Sequence, residues 1–413
     1  MDAQVIIIGG GPVGLLLGNM LGSLGISTLI LEKKKTRKPG SRAIGISPPS
    51  LDILRSVGLD ARFSAEGIRA TGGKVHDTVV LGAARVRSLP SRYQYVLSLP
   101  QSKTEAILEE SLARFDCVTL LRGHEMVEVL RGQDAVTVTA RFTGANGEQN
   151  HTFTAPFVCA CDGERSIGRK QAGIEFKGNY YRPTFAMGDY IDRSPYGEDA
   201  HMWFTRRGTV ESFPIGVHPV RSRRWIVQTG SFCRPVPSGF IERLVSERTG
   251  FPLDPKDKTW DSVFRVQHFI AETFHRGHVF LCGDAAHTMS PIGGQGMNTG
   301  FADAEFLAYI LSHALDDPSL DVDELGKAYD HFRKIAARAA QTRAGLGMAV
   351  GTLKGIVFSV LRDYAIAIAL RTPVARILLY MFTMLTIPYN SLAKVLAKDD
   401  ILEKARGKME NSR

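Results

Sequence analysis

Three glycines and one acid near the start of the chain have the spacing that binds the pyrophosphate of a dinucleotide. Gly9, Gly11 and Gly14 form a G-x-G-x-x-G pattern, and Glu32 follows later. Such glycines permit a tight turn, let phosphates approach the backbone and allow close helix–strand packing. The acid accepts hydrogen bonds from a ribose hydroxyl and repels a 2′-phosphate. The residues therefore predict an adenine-dinucleotide site, with a plain tight turn as the alternative.

Two further stretches bring acidic residues to the ends of apolar runs. Cys161-Asp162-Gly163 follows one run, and Gly283-Asp284 follows another. The second leads through Pro291 into Gly293-Gly294-Gln295-Gly296-Met297-Asn298, where an apolar helix pattern begins. A helix N-terminus presents unpaired N–H groups and a positive dipole end, so it can face an anion. Asp beside Gly is also common in turns and caps, and Pro291 can simply end a strand.

Short buried strands have to position these groups. Residues 4–8 and 27–31 are apolar and rich in β-branched side chains, and they predict two strands around a helix at 13–24. Residues 157–160 and 278–282 predict two more buried strands, which deliver the two aspartates. The second glycine loop lacks the G-x-G-x-x-G spacing and a later acid, so one dinucleotide fold is predicted.

The middle of the chain predicts a second layer. Residues 74–99 alternate between apolar and polar side chains, as in strands that are covered on one face. Further strands are predicted at 184–191, 201–205, 209–216 and 223–231, which together form an antiparallel sheet. The predicted fold class is therefore α/β (α+β), with a Rossmann-like domain, an interleaved antiparallel sheet and a C-terminal helical region.

Composition bounds the class of protein. The chain has 413 residues, 44% of them hydrophobic and 23% charged, as in an ordinary globular protein. Five cysteines without a C-x-x-C pair disfavour disulfides, a metal site and a redox dithiol, and with no secretory leader they predict a cytoplasmic protein. Cys159 and Cys161 are expected to be small core residues. The sequence contains no nucleic-acid-binding module. The sequence also leaves the oligomeric state open.

The last fifth of the chain is basic and apolar. Residues 341–413 contain 11 Lys+Arg against 5 Asp+Glu, which suggests an anionic membrane surface. Gly347, Gly351 and Gly355 recur at every fourth position, a close helix-packing pattern. Residues 377–393 carry no charge and are at the short limit for a membrane span. Helices that pack on the nucleotide domain, lie at a bilayer surface or pack in a dimer are the expected alternatives.

With these motifs in place, the chain resembles the FAD-dependent group A aromatic and polyketide hydroxylases, which share the para-hydroxybenzoate hydroxylase fold. The resemblance spans about residues 4–340 and rests on the first glycine loop with Glu32, on residues 161–163 and on residues 283–298. It implies a discontinuous FAD-binding domain at 1–73, 100–183 and 266–341. It also implies a substrate-binding sheet domain at 74–99 and 184–265, followed by a helical region at 342–413. The ubiquinone-pathway hydroxylases of the family have comparable C-terminal helices.

The resemblance implies a set of residues around FAD. The first loop would hold the pyrophosphate, Asp284 the ribityl chain, and the helix near Gly296 would face the pyrimidine edge of the flavin. Pro291 and Arg42 would lie at the flavin edge as the candidate catalytic residues. The residues implied to bind the cofactor are Gly9, Gly11, Pro12, Val13, Gly14, Glu32, Lys33, Arg42, Gln101, Val127, Asp162, Gly163, Gly283, Asp284, Pro291, Gly294, Gly296, Met297 and Asn298.

The reaction implied is a hydroxylation or epoxidation with NAD(P)H and O2 through a flavin C4a-hydroperoxide, with NADPH preferred to NADH. A strand at 211–215 without the polar grip expected for benzoates favours an apolar aromatic, quinone-precursor or polyketide substrate. Candidate substrate contacts, each of which is also a plausible core residue, are Met202, Phe204, Phe213, Pro214, Ile215 and Trp225. Candidate bases are His201, His218 and Tyr95, whereas His287 is expected to be a hydrogen-bonded core residue.

Three rival functions remain open at this point. A flavin halogenase shares the first motif, but its W-x-W-x-I-P signature is absent around Trp203, Trp225 and Trp260. A prenyl reductase of related fold would reduce double bonds without O2. A flavin-binding partner protein without catalysis would bind FAD and oxidise no NAD(P)H.

Overall fold

The computed structural model describes residues 1–37, 40, 42–86, 89–132, 135–144, 147–216, 220–291, 293–353, 355–397 and 399–410. The candidate base His218 lies outside the described residues.

A six-stranded sheet carries the first glycine loop. Its central strands are short apolar runs with every residue buried, because helices cover both faces of a parallel sheet. The strands lie parallel except for the edge strand β18. In spatial order they are His275–Arg276 (β18), Val279–Leu281 (β19), Phe157–Ala160 (β12), Val5–Ile8 (β1), Thr28–Glu32 (β2) and Val118–Arg122 (β8).

An eight-stranded sheet forms the second layer, and its strands pair antiparallel except for β14 with β5. It includes the four strands predicted between residues 184 and 231 and adds strands on both sides of them. In spatial order these are His287–Thr288 (β20), Lys258–Ala271 (β17), Phe176–Ile191 (β13), Ser222–Thr229 (β16), Gly208–Ile215 (β15), Ala200–Thr205 (β14), Gly72–His76 (β5) and Val80–Arg85 (β6).

Two small sheets of three strands complete the β structure. The first comprises Gly147–Ala155 (β11), Val136–Gly144 (β10) and His124–Arg131 (β9), and the second comprises Gly45–Ile46 (β3), Val96–Ser98 (β7) and Ile68–Ala70 (β4). The second places residue 45 beside the loop that follows β7, where Gln101 N donates to Ala43 O.

The helices up to residue 351 pack mainly on the two large sheets. The long helices that flank the nucleotide sheet are Pro12–Ser23 (α1), Gln101–Leu112 (α4), Gln295–Asp316 (α7) and Val322–Gly351 (α8). The shorter helices are Pro48–Ser56 (α2), Asp60–Glu66 (α3), Ile167–Gln171 (α5) and Phe240–Thr249 (α6). Cys159 and Cys161 are buried, as expected of core residues. The predicted fold class is confirmed, with strands and helices in the predicted order.

The C-terminal helices are Ile356–Arg371 (α9), Val374–Phe382 (α10), Leu392–Leu396 (α11) and Ile401–Glu410 (α12). The charge-free stretch 377–393 is not one helix, because the chain turns between α10 and α11 with positive φ at Met384 and Tyr389. Among the described residues no single helix passes the length and hydropathy test for a membrane span. The pair α9 and α10, bent by 97°, passes it together.

The glycine repeat at the end of α8 does not join two helices. A Cβ on Gly351 would lie 3.1 Å from Phe204 and 3.3 Å from Thr209, so this glycine lets α8 approach the eight-stranded sheet. Gly355 precedes α9 and has a φ of 98°, which favours glycine. Gly351 therefore permits close packing of α8 on the sheet, and the predicted close helix packing does not extend to Gly355.

The predicted domain boundaries fall inside continuous elements. β13 and β17 run across positions 184 and 266, and α8 runs across position 342. The division into domains stays a prediction.

Candidate functional site

The first glycine loop is built as its spacing predicts, and each glycine has a different reason. Gly9 has a φ of +107°, and a Cβ there would lie 2.5 Å from Cys161 O. A Cβ on Gly14 would lie 2.1 Å from Gly9 O, so only glycine allows α1 to pack at this distance. A Cβ on Gly11 would meet no described atom within 4 Å and would project into a cavity. Close packing therefore requires glycine at positions 9 and 14. Glycine at position 11 instead keeps the neighbouring part of the cavity free.

Glu32 is buried at the end of β2 and lines the same cavity. Its Oε2 accepts a hydrogen bond from Gly10 N at 2.7 Å, and its Oε1 accepts one from Lys34 N at 2.8 Å. These bonds fix the carboxylate beside the glycine loop. Lys33 and Gln101 line the cavity near it, as predicted.

A second acid at this end was not predicted. Glu105 lines the cavity one turn beyond Gln101, whose Nε2 donates to Glu105 Oε1 at 2.8 Å. Burial raises the pKa of the Glu105 carboxyl above its usual value. The sequence signal was present, because both residues lie in the first turns of α4.

Asp162 follows β12 and has two roles. Its Oδ2 accepts hydrogen bonds from Ile167 N at 2.7 Å and Gly168 N at 3.1 Å, so the capping role considered above is correct for this oxygen. Its Oδ1 is buried without a partner among the described residues, and Asp162 lines the cavity. Arg169 ties the two acidic loops together, since its Nη1 donates to Ala285 O at 2.8 Å.

Asp284 follows β19 and opens onto the cavity. Protein surrounds its other sides, and this burial raises the pKa of its carboxyl, an effect that His287 and Arg42 partly offset. Gly283 before it does not line the cavity, because it packs on Val13 and has a φ of +63°.

A buried ion cluster holds the Asp284 loop. Asp303 Oδ2 accepts from Gly283 N at 3.0 Å and from His287 Nε2 at 2.7 Å, while Oδ1 accepts from Arg333 Nε at 2.7 Å. Burial alone would raise the pKa of Asp303, but His287 and Arg333 lower it to about 2. His287 is therefore a hydrogen-bonded core residue, as expected. The sequence did not reveal Asp303 and Arg333, because they come from two successive helices whose packing brings the two side chains together.

Helix α7 begins beside the cavity. Its N-cap is Gly294, with a φ of +62°, and among the described residues no side chain caps this end. Gly294, Gly296, Met297 and Pro291 all line the cavity. The uncapped N–H groups and the positive dipole end therefore point toward a site where negative charge is stabilised.

Asn298 and Arg42 connect α7 and the eight-stranded sheet to the loop at 42–47. Asn298 Oδ1 accepts from Ser47 N at 2.8 Å, and its Nδ2 donates to Gly45 O at 2.9 Å. Arg42 O accepts from Arg224 Nη1 at 2.8 Å, and its guanidinium lies 5.7 Å from the Phe264 ring centre. Both predicted residues line the cavity.

These pieces enclose one continuous cavity of about 1560 Å³. Ligand pockets usually have volumes of about 300–1,000 Å³, so this space can hold a dinucleotide and a second molecule. The predicted cofactor residues that line it are Gly9, Gly11, Pro12, Val13, Glu32, Lys33, Arg42, Gln101, Asp162, Gly163, Asp284, Pro291, Gly294, Gly296, Met297 and Asn298. Gly14 and Gly283 support it through packing. Val127 does not line it, although Glu125 and Met126 do, and its carbonyl accepts from Gln171 Nε2 at 3.5 Å.

The space in front of Gly11, the unpartnered Asp162 Oδ1 and the uncapped start of α7 fit a bound FAD. A side chain at position 11 would fill the space in front of the loop, and Asp162 Oδ1 is a hydrogen-bond acceptor without a partner among the described residues. The start of α7 suits the anionic edge of a flavin ring.

The far end of the cavity is the inner face of the eight-stranded sheet. Met202, Phe204, Phe213 and Pro214 line it, as predicted. Trp225 does not, because neighbouring strand residues face opposite sides of a sheet and Ile226 takes the cavity side. Trp225 is buried on the outer side against Phe251, so its prediction as a substrate contact was wrong.

Ile215 is buried, and it is not among the lining residues either. It forms the last pair of β15 with β16, opposite Ser222. The prediction that it contacts substrate was wrong for this cavity.

The two candidate bases that the structure describes do not reach the cavity. His201 is buried on the outer face, where burial lowers its pKa to about 3, and its Nδ1 lies 2.9 Å from His76 Nε2. Tyr95 OH lies 2.8 Å from Ser64 Oγ. Neither lines the cavity.

The C-terminal helices close the remaining side. Residues of α8, α9 and α10 line the apolar end, among them Val350, Phe358, Leu361, Leu370 and Leu378. A Cβ on Gly82 of β6 would lie 2.6 Å from Leu370 Cβ, so α9 packs closely on the edge of the sheet. Nothing along the chain had indicated that these helices form a cavity wall.

Comparisons with known proteins agree with this site. The sequence profile of a family described as "FAD binding domain" matches residues 2–344. An uncharacterized aromatic compound monooxygenase from Bacillus subtilis (strain 168) is 33% identical over 76% of this chain and 62% of its own length. A dialkyldecalin synthase from Streptomyces rugosporus is 32% identical over 83% of this chain and 72% of its own length.

Among solved structures, the p-nitrophenol 4-monooxygenase PnpA from Pseudomonas putida DLL-E4 superposes with a TM-score of 0.82. At 23% identity, over 94% of this chain and 98% of that one, it shows the fold alone. Several curated relatives are longer than this chain, which spans between 55% and 64% of their length.

Proposed function

The chain belongs to the FAD binding domain family, and we propose that it is an FAD-dependent monooxygenase that uses NAD(P)H and O2 to hydroxylate an apolar aromatic substrate. The resemblance predicted from the three motifs is confirmed, and FAD is the cofactor. The observation that carries the proposed activity is the single cavity, which runs from the first glycine loop past the start of α7 to the apolar sheet face.

The residues of the chain have separable tasks in such a reaction. When bound, FAD supplies hydride acceptance from NAD(P)H and the activation of O2. The first glycine loop and Glu32 hold the adenosine and pyrophosphate half. The start of α7 stabilises negative charge at the ring end. The apolar wall formed by the sheet and the C-terminal helices excludes water, which protects a reactive oxygen species from side reactions.

The lining of the far end favours a polycyclic aromatic substrate without a carboxylate, such as a quinone precursor, a quinolone or a polyketide. Met202, Phe204 and Phe213 offer apolar and aromatic surface there. NADPH is proposed as the electron donor ahead of NADH.

The test is turnover with labelled oxygen. The FAD-loaded protein is mixed with NADPH or NADH, a lipophilic phenol and 18O2, and the product mass is measured. We expect substrate-stimulated oxidation of the nicotinamide and a product that gains one 18O atom. FAD binding without oxidation of either nicotinamide would contradict the proposal. It would favour a non-redox role, which the dialkyldecalin synthase among the relatives makes a specific second candidate.

We further propose that α9 and α10 contact an anionic bilayer surface. Nine large apolar side chains of these helices are exposed: Ile356, Val357, Phe358, Leu361, Tyr364, Ile368, Val374, Ile377 and Leu378. Arg371 and Arg376 are exposed at the bend, whereas the acid Asp363 is paired with Arg362. Exposed apolar surface beside cations is the composition of an interfacial helix. Phe358, Leu361 and Leu378 also line the cavity, so lipophilic substrate would enter from the bilayer.

Vesicle sedimentation tests this surface. We expect the protein to sediment with phosphatidylglycerol vesicles and not with phosphatidylcholine vesicles. Phe358→Ser with Leu361→Ser should lower binding about tenfold or more, since about 0.8 kcal/mol is lost per buried CH2 withdrawn. Leu24→Ser, at an exposed leucine that follows α1, is the matched control. Equal sedimentation with both vesicle types would contradict the proposal, and a dimer lost in the double variant would assign the surface to a second copy.

A further inference from the structure

One ionisable side chain lies in the middle of the apolar end of the cavity. Glu211 is in β15, and its cross-strand neighbours are Met202 on β14 and Ile226 on β16. These three residues belong to one cross-strand row of the sheet, which continues to Val75 beside Met202 and to Met187 beside Ile226. All five residues line the cavity, and Glu211 is the one polar member of the row.

Glu211 has no structural task in the part of the chain that the structure describes. Its side chain is 7% exposed, and no hydrogen bond or ion pair of its carboxyl occurs among the described residues. Burial is the cause that raises the pKa of Glu211 to about 7. A buried carboxyl without a partner destabilises a fold, so its presence calls for a ligand.

Two arginines also line this end, and each has some partners elsewhere while its Nη1 has none among the described residues. From α9, Arg362 donates to Phe204 O at 2.6 Å and to Asp363 Oδ1 at 2.9 Å. From α8, Arg343 donates to Thr386 O at 2.6 Å. The flanking strands β14 and β16 place Met202 and Ile226 opposite the carboxyl, and neither is charged.

We propose that Glu211 is the substrate-recognising carboxylate of this cavity, which binds the hydroxyl group of a phenolic substrate and accepts its proton. The proposal rests on the function proposed above and names the substrate class within it. It replaces the candidate bases His201 and Tyr95, which face away from the cavity. A carboxylate of the substrate placed beside Glu211 is disfavoured, because two like charges would be close together in an apolar space.

The proton passes from the phenolic substrate to Glu211, and no other group is needed. The phenolic O–H bond breaks, a new O–H bond forms at a Glu211 carboxyl oxygen, and the electron pair stays on the phenolic oxygen. The resulting phenolate ring is richer in electrons than the neutral phenol. An acceptor with a pKa near the working pH is suited to this exchange.

Equilibrium binding to the FAD-loaded protein tests the assignment without turnover. Calorimetric titration with 2-naphthol, 2-methoxynaphthalene and 2-naphthoate separates the hydroxyl from the ring. We expect 2-naphthol to bind about tenfold tighter than its methyl ether, the size of one hydrogen bond to a charged group. 2-Naphthoate should bind more weakly than either. In Glu211→Gln the preference for the hydroxyl should fall to about twofold or less.

The pH dependence of binding separates the carboxylate from a structural effect. The preference for 2-naphthol over its methyl ether should be larger at about pH 8, where Glu211 is ionised and accepts the hydroxyl hydrogen bond, than at about pH 5.5, where Glu211 is protonated. Glu211→Gln should show the same small preference at both pH values. Glu198→Gln, at an exposed carboxylate away from the cavity, should behave as the wild type.

Equal affinities for the phenol and its ether in the wild-type protein, or a pH-dependent preference retained in Glu211→Gln, would overturn the assignment. Either result is independent of NAD(P)H oxidation. A failure of the monooxygenase proposal alone would instead leave the discrimination in binding intact while no labelled oxygen entered the product.

Discussion

The two ends of the cavity differ in the groups that form their surfaces. At the cofactor end, glycine positions, backbone N–H groups and two helix starts form the surface, and Glu32 and Asp162 there accept hydrogen bonds from backbone N–H groups. At the substrate end, side chains from β5, β13, β14, β15 and β16 meet side chains from α8, α9 and α10. The first is a local structure set by spacing. The second is assembled from distant segments, and among the described residues Glu211 is an acid there without a partner.

This difference explains why one end binds a fixed cofactor and the other a variable molecule. A backbone surface changes little when side chains change, so it suits a ligand that is always the same. A side-chain surface on a rigid sheet can be altered one residue at a time without loss of the fold. Function-specific residues are therefore expected at the sheet face.

The largest effect is expected where a side chain would enter the cofactor space. Gly11→Val adds atoms where no described atom lies within 4 Å, so the fold should tolerate it. The side chain would occupy the predicted pyrophosphate position and weaken FAD binding by about 1000-fold, or ~4 kcal/mol. Circular dichroism and flavin fluorescence titration measure the two properties. A variant that retains full FAD affinity would contradict the cofactor assignment of this loop.

The neighbouring glycine should respond in the opposite way. A Cβ from Gly14→Ala would lie 2.1 Å from Gly9 O, and backbone atoms cannot yield as a side chain can. We expect the free energy of unfolding to fall by about 3 kcal/mol, measured by urea denaturation of the FAD-free protein. Unchanged stability would show that α1 does not pack on β1 at this distance.

At the substrate end, the pH dependence of the free energy of unfolding reports the protonation of Glu211. The pKa of Glu211 is about 7 when folded, against 4.5 for an ordinary Glu, so the folded state holds its proton more tightly. This stabilising contribution is complete below pH 4.5 and is lost as pH rises to about 7, which costs about 3 kcal/mol. Glu211→Gln should remove that decline, as followed by urea denaturation at several pH values. Parallel profiles for both proteins would mean that Glu211 has a partner.

The smallest effects should separate the two faces of the same sheet. Phe213→Leu removes aromatic surface from the cavity and should raise the dissociation constant for 2-naphthol about threefold to fivefold. Trp225→Phe changes the outer face and should cost about 1 kcal/mol of stability without altering that constant. Calorimetric titration and urea denaturation measure both variants. If Trp225→Phe weakened the binding of 2-naphthol instead, the face assigned to the cavity would be wrong.

The same contrast decides how much the sequence could predict. The positions of Gly9, Glu32 and Asp284 at the cavity and of Gly14 in the helix packing were predictable, because they depend on short spacings around single strand–turn–helix units. Trp225 was assigned to the wrong face because an aromatic residue in a strand can face either side, and the register that decides it comes from other strands. Glu211 was passed over, because nothing along the chain shows that a glutamate in β15 lacks a partner.

The C-terminal helices show a second limit. Their basic, apolar composition was visible, but the bend between α9 and α10 and their position over the sheet depend on tertiary contacts such as Leu370 with Gly82. Asp303 and Arg333 were missed for a similar reason, since their ion pair joins helices α7 and α8.

The most direct test of the account is a crystal structure of the protein with FAD bound. We predict one FAD in the cavity, with its adenosine ribose at Glu32, its pyrophosphate in front of Gly11 and its ring between the start of α7 and the sheet face that carries Glu211. A flavin ring bound away from the Gly294–Met297 turn, or a protein that binds no FAD, would contradict the claim that the two glycine loops serve one cofactor.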